Sequence, residues 1–443
     1  MDWKAHEALA REWREKTGAY VEAINAFVAT GLTEGWEEAG EQPNDPRDSE
    51  LGTKVAAVAR AANEAGEWKG LREHFPPAQA PFISILEKHS IGIHGVVFLD
   101  EDRVAATVGS PWRPDAVMAF GFDGGTEHAP EGALALGASP DRRHLAFLHE
   151  DHVRVTEGWG GRELGRYPRP QGDEGTVDGV EELEEGDDPA PVEQLVVMPG
   201  GGAVLLATSR GIFQSTDTGV RRIAPDTEQL TERVEHWDYE GEPYPLRTDM
   251  THVAVSPDGS LIACGYQDSQ HELRKADGTL VGAFGPLHSE YPHHAAFAPD
   301  GAKAIFNSCH FYGGVTSIGE LEQLVGLELD AYEEDIRLLP LETGARVYDS
   351  AFHDGHWLLG DANGYIRAMT PGGDLGWQHF VGSSVGGIDV SPSGERLAIA
   401  TAAGYLALME KDASDDPYRI GFRSPFRERI RYVRWAEYPL MRW

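Results

Sequence analysis

The sequence predicts an all-β fold of short antiparallel strands in sets of four, preceded by an α-helical region. Three observations carry that reading. A turn of the type Ser-Pro-Asp-Gly recurs along the chain, each time between two short apolar runs. Further turns such as Ala276-Asp277-Gly278 separate the runs that follow, and Asp-Gly between β-rich runs is a strong hairpin signal. The first eighty or so residues lack this rhythm and space their apolar residues as helices do.

The clearest set spans residues 251–284. His252, Ala254 and Ser256 alternate with Val253 and Val255, and Ser256-Pro257-Asp258-Gly259 turns the chain. Residues 261–264 are a second apolar run, and 271–275 and 279–284 are two more around Asp277-Gly278. Four such strands make one sheet too small to be stable alone, so it needs neighbours like itself. Copies stand at 388–400 around Ser391-Pro392-Ser393-Gly394, at 295–306 around Ala298-Pro299-Asp300-Gly301, and at 134–148 around Ser139-Pro140-Asp141. Weaker copies begin at Gly95, Leu195 and Tyr348. The shortest separations are roughly forty residues, the period of propeller blades. On these residues the chain from about Ile91 onward resembles the WD40-like β-propeller family, in a divergent, bacterial-looking form. The resemblance implies a seven-bladed β-propeller of four-stranded antiparallel blades over residues 91–443. The family's Trp-Asp pair is missing from its expected strand, since Trp237-Asp238 lies in an insertion. Family-specific contacts are therefore not carried over.

Residues 1–81 form the helical region. Leu9, Trp13, Tyr20, Ile24 and Phe27 fall on one stripe of a helix that Gly31 and Gly35 should end. Asp48 or Ser49 can cap a second helix with the stripe Leu51, Val55, Val58 and Ala62. Pro76, Pro77 and Pro81 break the pattern, and helices this few are expected to pack on the propeller. Three insertions interrupt the blades. Residues 171–190 are acidic without one basic residue and are expected to be mobile. Residues 224–250 mix charge with Trp237, Tyr239, Tyr244 and two prolines, and 319–335 carry Leu321, Leu324, Val325 and Leu327 at helical spacing. Residues 431–435 and 439–443 read as strands that close the ring or add a partial blade.

Composition narrows the function classes. The formal net charge of -35 opposes nucleic acid and anionic membranes, both of which attract basic patches. It favours solubility and a basic protein as partner. No apolar run approaches the length of a membrane span, and the polar start Met1-Asp2-Trp3-Lys4 lacks the pattern of a signal peptide. Two cysteines, Cys264 and Cys309, do not make a disulfide framework. The expectation is a cytoplasmic protein.

The loops between second and third strands, with the insertions, should open on one face. That face is expected to carry His252, Gln267, Asp268, His293, His294, Asn307, Cys309, His310, Phe311, Tyr312, Asp361 and Asn363, with residues 307–314 as a long loop. Large aromatics in such loops are common interface anchors; the polar residues can equally satisfy backbone groups at blade ends. His252, His293, His294, Cys309 and His310 are donor types that zinc takes, yet their spacing fits no zinc motif. No metal or cofactor is expected. Cys309 and His310 are adjacent on a strand and point to opposite faces, so they make a poor nucleophile pair. Asp361 and Asp389 remain candidates for paired carboxylates. No GxSxG, HExxH, P-loop or GxGxxG stands in a strand-to-helix context. The leading expectation is a non-enzymatic protein-binding scaffold, in one version an immunity protein that caps a basic toxin. The alternative is a hydrolase or lyase with a His/Asn/Asp site at the propeller's central opening.

Overall fold

The computed structural model describes residues 1–78, 81–111, 113–130, 132–183, 191–238, 241–287, 289–412 and 414–443. They form two compact units, one of residues 1–110, 120–126 and 348–443 and the other of 111–119 and 127–347.

The recurrent turn explains why the repeat reads as it does. Ser256 donates its hydroxyl to the Asp258 carboxylate at 2.7 Å and accepts the Leu261 amide at 2.9 Å, which ties the end of one strand to the start of the next. Asp258 also accepts the Ser260 amide at 3.0 Å, and Gly259 takes φ +74°. Ser139 and Ser391 repeat the device, accepting the amides of His144 and Arg396 at 3.1 and 3.2 Å. One hydroxyl and one carboxylate thus fix both strand spacing and turn direction.

Most of the chain is β-sheet, and several sheets are four-stranded and antiparallel in sequence order. In the 127–347 unit, His252–Val255, Leu261–Gly265, His271–Lys275 and Leu280–Phe284 form one sheet. Tyr291–Phe297, Lys303–His310, Gly313–Glu320 and Leu339–Thr343 form the next. An eight-stranded sheet joins two more such sets through a single parallel pair, Ala138 with Val196. Gly137 permits that approach, because a Cβ there would lie 2.2 Å from the Leu195 carbonyl oxygen.

In the other unit the two long helices are where the apolar stripes place them: α1, Glu7–Thr33, and α2, Ser49–Glu64. Helix α1 runs through Gly31, and the Asp48 carboxylate caps α2 by accepting the Leu51 amide at 2.8 Å. Trp13, Val55 and Ala59 are buried with Tyr405, Trp435 and Trp443 of the C-terminal sheet. Phe82 lies between them, its ring 5.6 Å from Trp435 and 5.8 Å from Trp443. The Trp13 and Trp443 indoles donate to the carbonyls of Pro76 and Phe75 at 2.8 and 2.6 Å. The C-terminal strands are Phe426–Val433, fourth in the last sheet, and Met441–Arg442, which adds a fifth.

The insertions depart from expectation. Residues 224–250 contain a helix, α3, Thr227–Glu235, with a capping box of Asp226 and Gln229. The buried Arg274 guanidinium reaches Glu272 at 2.7 Å and Asp226 at 2.9 Å, while Gln229 donates to Glu272 at 2.5 Å. The described part of the acidic insertion, 171–183, is packed. Val180 is buried with Leu230 and Leu246, and Arg222 donates to the carbonyls of Gly172 and Glu174 at 2.8 Å. Arginines from the neighbouring strands bind its backbone carbonyls, a contact that the charge count alone does not suggest. Residues 184–190 of that insertion lie outside the described residues. In the third insertion only Leu321–Leu324 is helical; the strand before it runs on to Glu320.

Candidate functional site

Residues 307–314 are not a loop. Asn307, Ser308, Cys309 and His310 complete the strand Lys303–His310, and Gly313 begins the next, so the turn is Phe311-Tyr312 alone. Both faces of the strand's middle are covered, which places the polar residues inside. Asn307 is fully buried: its amide donates to Thr316 Oγ1 at 3.0 Å and the Ala345 carbonyl at 3.1 Å, and its oxygen accepts the Val347 amide at 3.0 Å. Cys309 is buried while His310 is exposed, so the two side chains leave the strand on opposite sides.

The expected face therefore keeps only His310 of its four histidines. His252, His293 and His294 are all buried within the sheets. His293 Nδ1 lies 2.6 Å from the Val347 carbonyl and Nε2 accepts from Arg346 Nε at 2.9 Å, which fixes a neutral ring protonated at Nδ1. Burial holds His252 down to about 4, and burial with His252 nearby holds His294 at about 3. These rings are neutral packing elements. Among the described residues no group of three or more His, Cys, Asp or Glu could hold a metal ion.

Asp361, in the other unit, is likewise interior. One of its oxygens accepts the amides of Asn363 and Tyr365 at 2.8 and 2.9 Å, and Arg367 lies 3.2 Å from the second. It closes a turn, with Asn363 exposed at the tip. The carboxylate on which the charge of Asp389 acts is Asp349, not Asp361; burial, with Asp389 adding to it, pushes Asp349 up to about 7. Each accepts a neighbouring strand's amide, Asp349 that of Ile388 at 2.8 Å and Asp389 that of Phe98 at 2.7 Å.

What stays exposed is an aromatic tip. Phe311 is 75% exposed and Tyr312 67%, and the Phe311 backbone has φ +49°. A bulky L-residue rarely takes that conformation, which costs about 1–2 kcal/mol. The His310 ring meets Phe311 edge-on at 4.4 Å and stacks at 6.5 Å with Tyr291. Glu290 lies 2.5 Å from His310 Nδ1. Its carboxylate, with Asp268 farther off, raises the Tyr291 phenol above its ordinary range. Asp268 is exposed, and Gln267 beside it is half-buried, its amide donating to the Asp249 carbonyl at 2.8 Å. Tyr291 and Glu290 were missed in the sequence because they precede the strand's apolar core.

No family model matches the chain, and no curated protein does. Among solved structures it is similar to the β-propeller domain of Myceliophteria thermophila Cps50 (Swd1), at 14% identity and a TM-score of 0.47, over 70% of this chain and 92% of that one. It is also similar to the WD40 β-propeller domain of Doa1, at 12% identity and a TM-score of 0.46, over 73% of this chain and 94% of that one. Among the described residues no helix is long and apolar enough to cross a membrane.

Proposed function

We propose that this chain is a non-enzymatic scaffold of the WD40-like propeller type that binds another protein through the tip formed by Phe311 and Tyr312. The observation that carries the reading is Phe311 itself: an aromatic side chain held at φ +49° yet left 75% exposed. Such a residue costs stability and contributes almost no packing, and strained positions of this kind cluster where binding occurs. Tyr291, Glu290 and Asp268 would ring the anchor with polar groups, the arrangement of interface hot spots. Seven blades belong to this reading; their support is one four-stranded run in each of five sheets and two in the eight-stranded one. The net charge of -35 supports a basic partner, such as a toxin that an immunity protein would cap. A hydrolase or lyase has less support, because His252, His293, His294 and Asp361 are buried and only His310 and Asp268 of the candidate His and Asp residues are exposed.

The test is co-purification of the partner at low salt, followed by titration of the Phe311→Ala/Tyr312→Ala double variant. Loss of about 2 kcal/mol or more, roughly thirty-fold in affinity, is expected. Unchanged affinity with an intact melting curve would place the interface elsewhere.

A further inference from the structure

A second surface lies on the same unit, apart from the aromatic tip in its residues and in its chemistry. After the single helical turn Leu321–Leu324, the chain runs extended along the outer strand Leu280–Phe284. The Gly326 amide donates to Val281 O at 2.6 Å, Ala283 N to Leu327 O at 2.9 Å, and Leu329 N to Ala283 O at 2.9 Å. Gly282 makes this approach possible, since a Cβ there would lie 2.7 Å from the Leu324 carbonyl oxygen. Leu327 and Leu329 turn inward to the core, while Val325, Glu328 and Asp330 turn out. The result is a firm-walled groove of about 780 Å³.

Its lining has two characters. Leu280 and Val325 are exposed apolar side chains, 40% and 47% accessible. Glu328, Asp330 and Glu333, with Gln270, supply the polar wall, and among the described residues no Lys, Arg or His lines the groove. Among the described residues no cation pairs with those three carboxylates. An adjoining cavity of about 290 Å³ shares Val325 and adds Asp258, Asp300 and Glu322, again without a basic residue. Exposed apolar side chains flanked by carboxylates that no described cation neutralises complement an occupant that is itself apolar and cationic.

We propose that this groove binds an extended segment of another protein in which apolar residues alternate with Lys or Arg. Apolar side chains would seat on Leu280 and Val325 and cationic ones on Glu328, Asp330 and Glu333. The groove walls are held by backbone hydrogen bonds, so binding orders little of this chain. The site goes beyond the reading of the aromatic tip and does not depend on it.

The probe is a dye-labelled octapeptide of alternating Lys and Leu, titrated into the full chain by fluorescence anisotropy at low and at roughly 0.3 M salt. Saturable binding that weakens with salt is expected. The Glu328→Lys/Asp330→Lys/Glu333→Lys variant should bind at least about ten-fold more weakly, and Leu280→Ser should weaken binding at both salt concentrations. Reversing three exposed acids elsewhere, Glu37→Lys/Glu38→Lys/Glu41→Lys, should leave affinity within about two-fold, as should Phe311→Ala/Tyr312→Ala. An equal loss from the two charge reversals would mean diffuse attraction to the acidic surface and would overturn the proposal. So would equal binding of a Glu-Leu octapeptide, absence of binding, or loss on altering the aromatic tip.

Discussion

Replacing Asn307 by alanine separates a structural role from a binding role for the strand beneath the aromatic tip. The side chain is fully buried and makes three hydrogen bonds, two given to Thr316 and Ala345 and one accepted from Val347. The Thr316 hydroxyl, which accepts from Asn307, can rotate to another partner, whereas the Val347 amide and the Ala345 carbonyl are fixed in the backbone. Two orphaned buried groups at about 1–3 kcal/mol each give a loss of roughly 3 kcal/mol. At an m-value of about 3 kcal/mol/M that is a fall of about 1 M in the urea midpoint. The assay is urea unfolding followed by tryptophan fluorescence, with the partner's affinity measured on the same preparation below the transition. A large fall in midpoint with nearly unchanged affinity is expected. A fall under about 0.3 M would refute the accounting of buried partners; lost affinity with normal stability would return Asn307 to the binding face.

Three further outcomes follow from other sites. Phe311→Asn should raise stability by about 0.5–1 kcal/mol in the same assay while weakening partner binding, because Asn tolerates φ +49° and Phe does not. Arg274→Met should cost about 3–5 kcal/mol, since it leaves the buried Glu272 carboxylate without its cation; a near-neutral result in urea unfolding would show that the site takes up water. Asp349→Asn should gain stability relative to the natural chain as pH rises from 4 to 8. Its folded pKa of about 7 lies above the unfolded 3.8, so the folded form binds the extra proton between those values and stability is lost as pH climbs through 7. A difference growing by roughly 4 kcal/mol across that range is expected, and a constant difference would mean that Asp349 titrates normally.

The strand sets were legible because the device that makes each turn is spelled out locally. Ser256 and Asp258 bond to amides within five residues, so the sequence of the turn and its geometry are nearly the same statement. The helical stripes were legible for a similar reason: Trp13, Val55 and Ala62 are the buried face that their spacing gives. The α3 helix was hidden, although Asp226 and Gln229 form a capping box, because the prolines and mixed charge after it read as loop. The packing of residues 171–183 was hidden for a different reason. It depends on Arg210 of a later turn and Arg222 of a later strand, which no local pattern connects to that segment.

The candidate site was misread at one identifiable step. Alternation along a strand assigns inside and outside only when one face meets water. The strand Lys303–His310 is buried at every position from Ala304 to Cys309, so both of its faces are covered. Period-two reasoning therefore fails there, and polar residues such as Asn307 and Ser308 look exposed in the sequence although they serve internal partners, Ser308 by bonding His271 at 3.0 Å. The pattern recovers only where the strand leaves that cover, at His310, and the next two residues carry the exposed rings. A strand covered on both faces leaves side chains to solvent only at its ends. Phe311 and Tyr312 are exposed at such an end and Leu280 with Val325 beside an outer strand, while Trp36, Tyr332 and Ile336 are among the other apolar side chains left exposed. The polar chemistry between them is spent on holding one strand to the next.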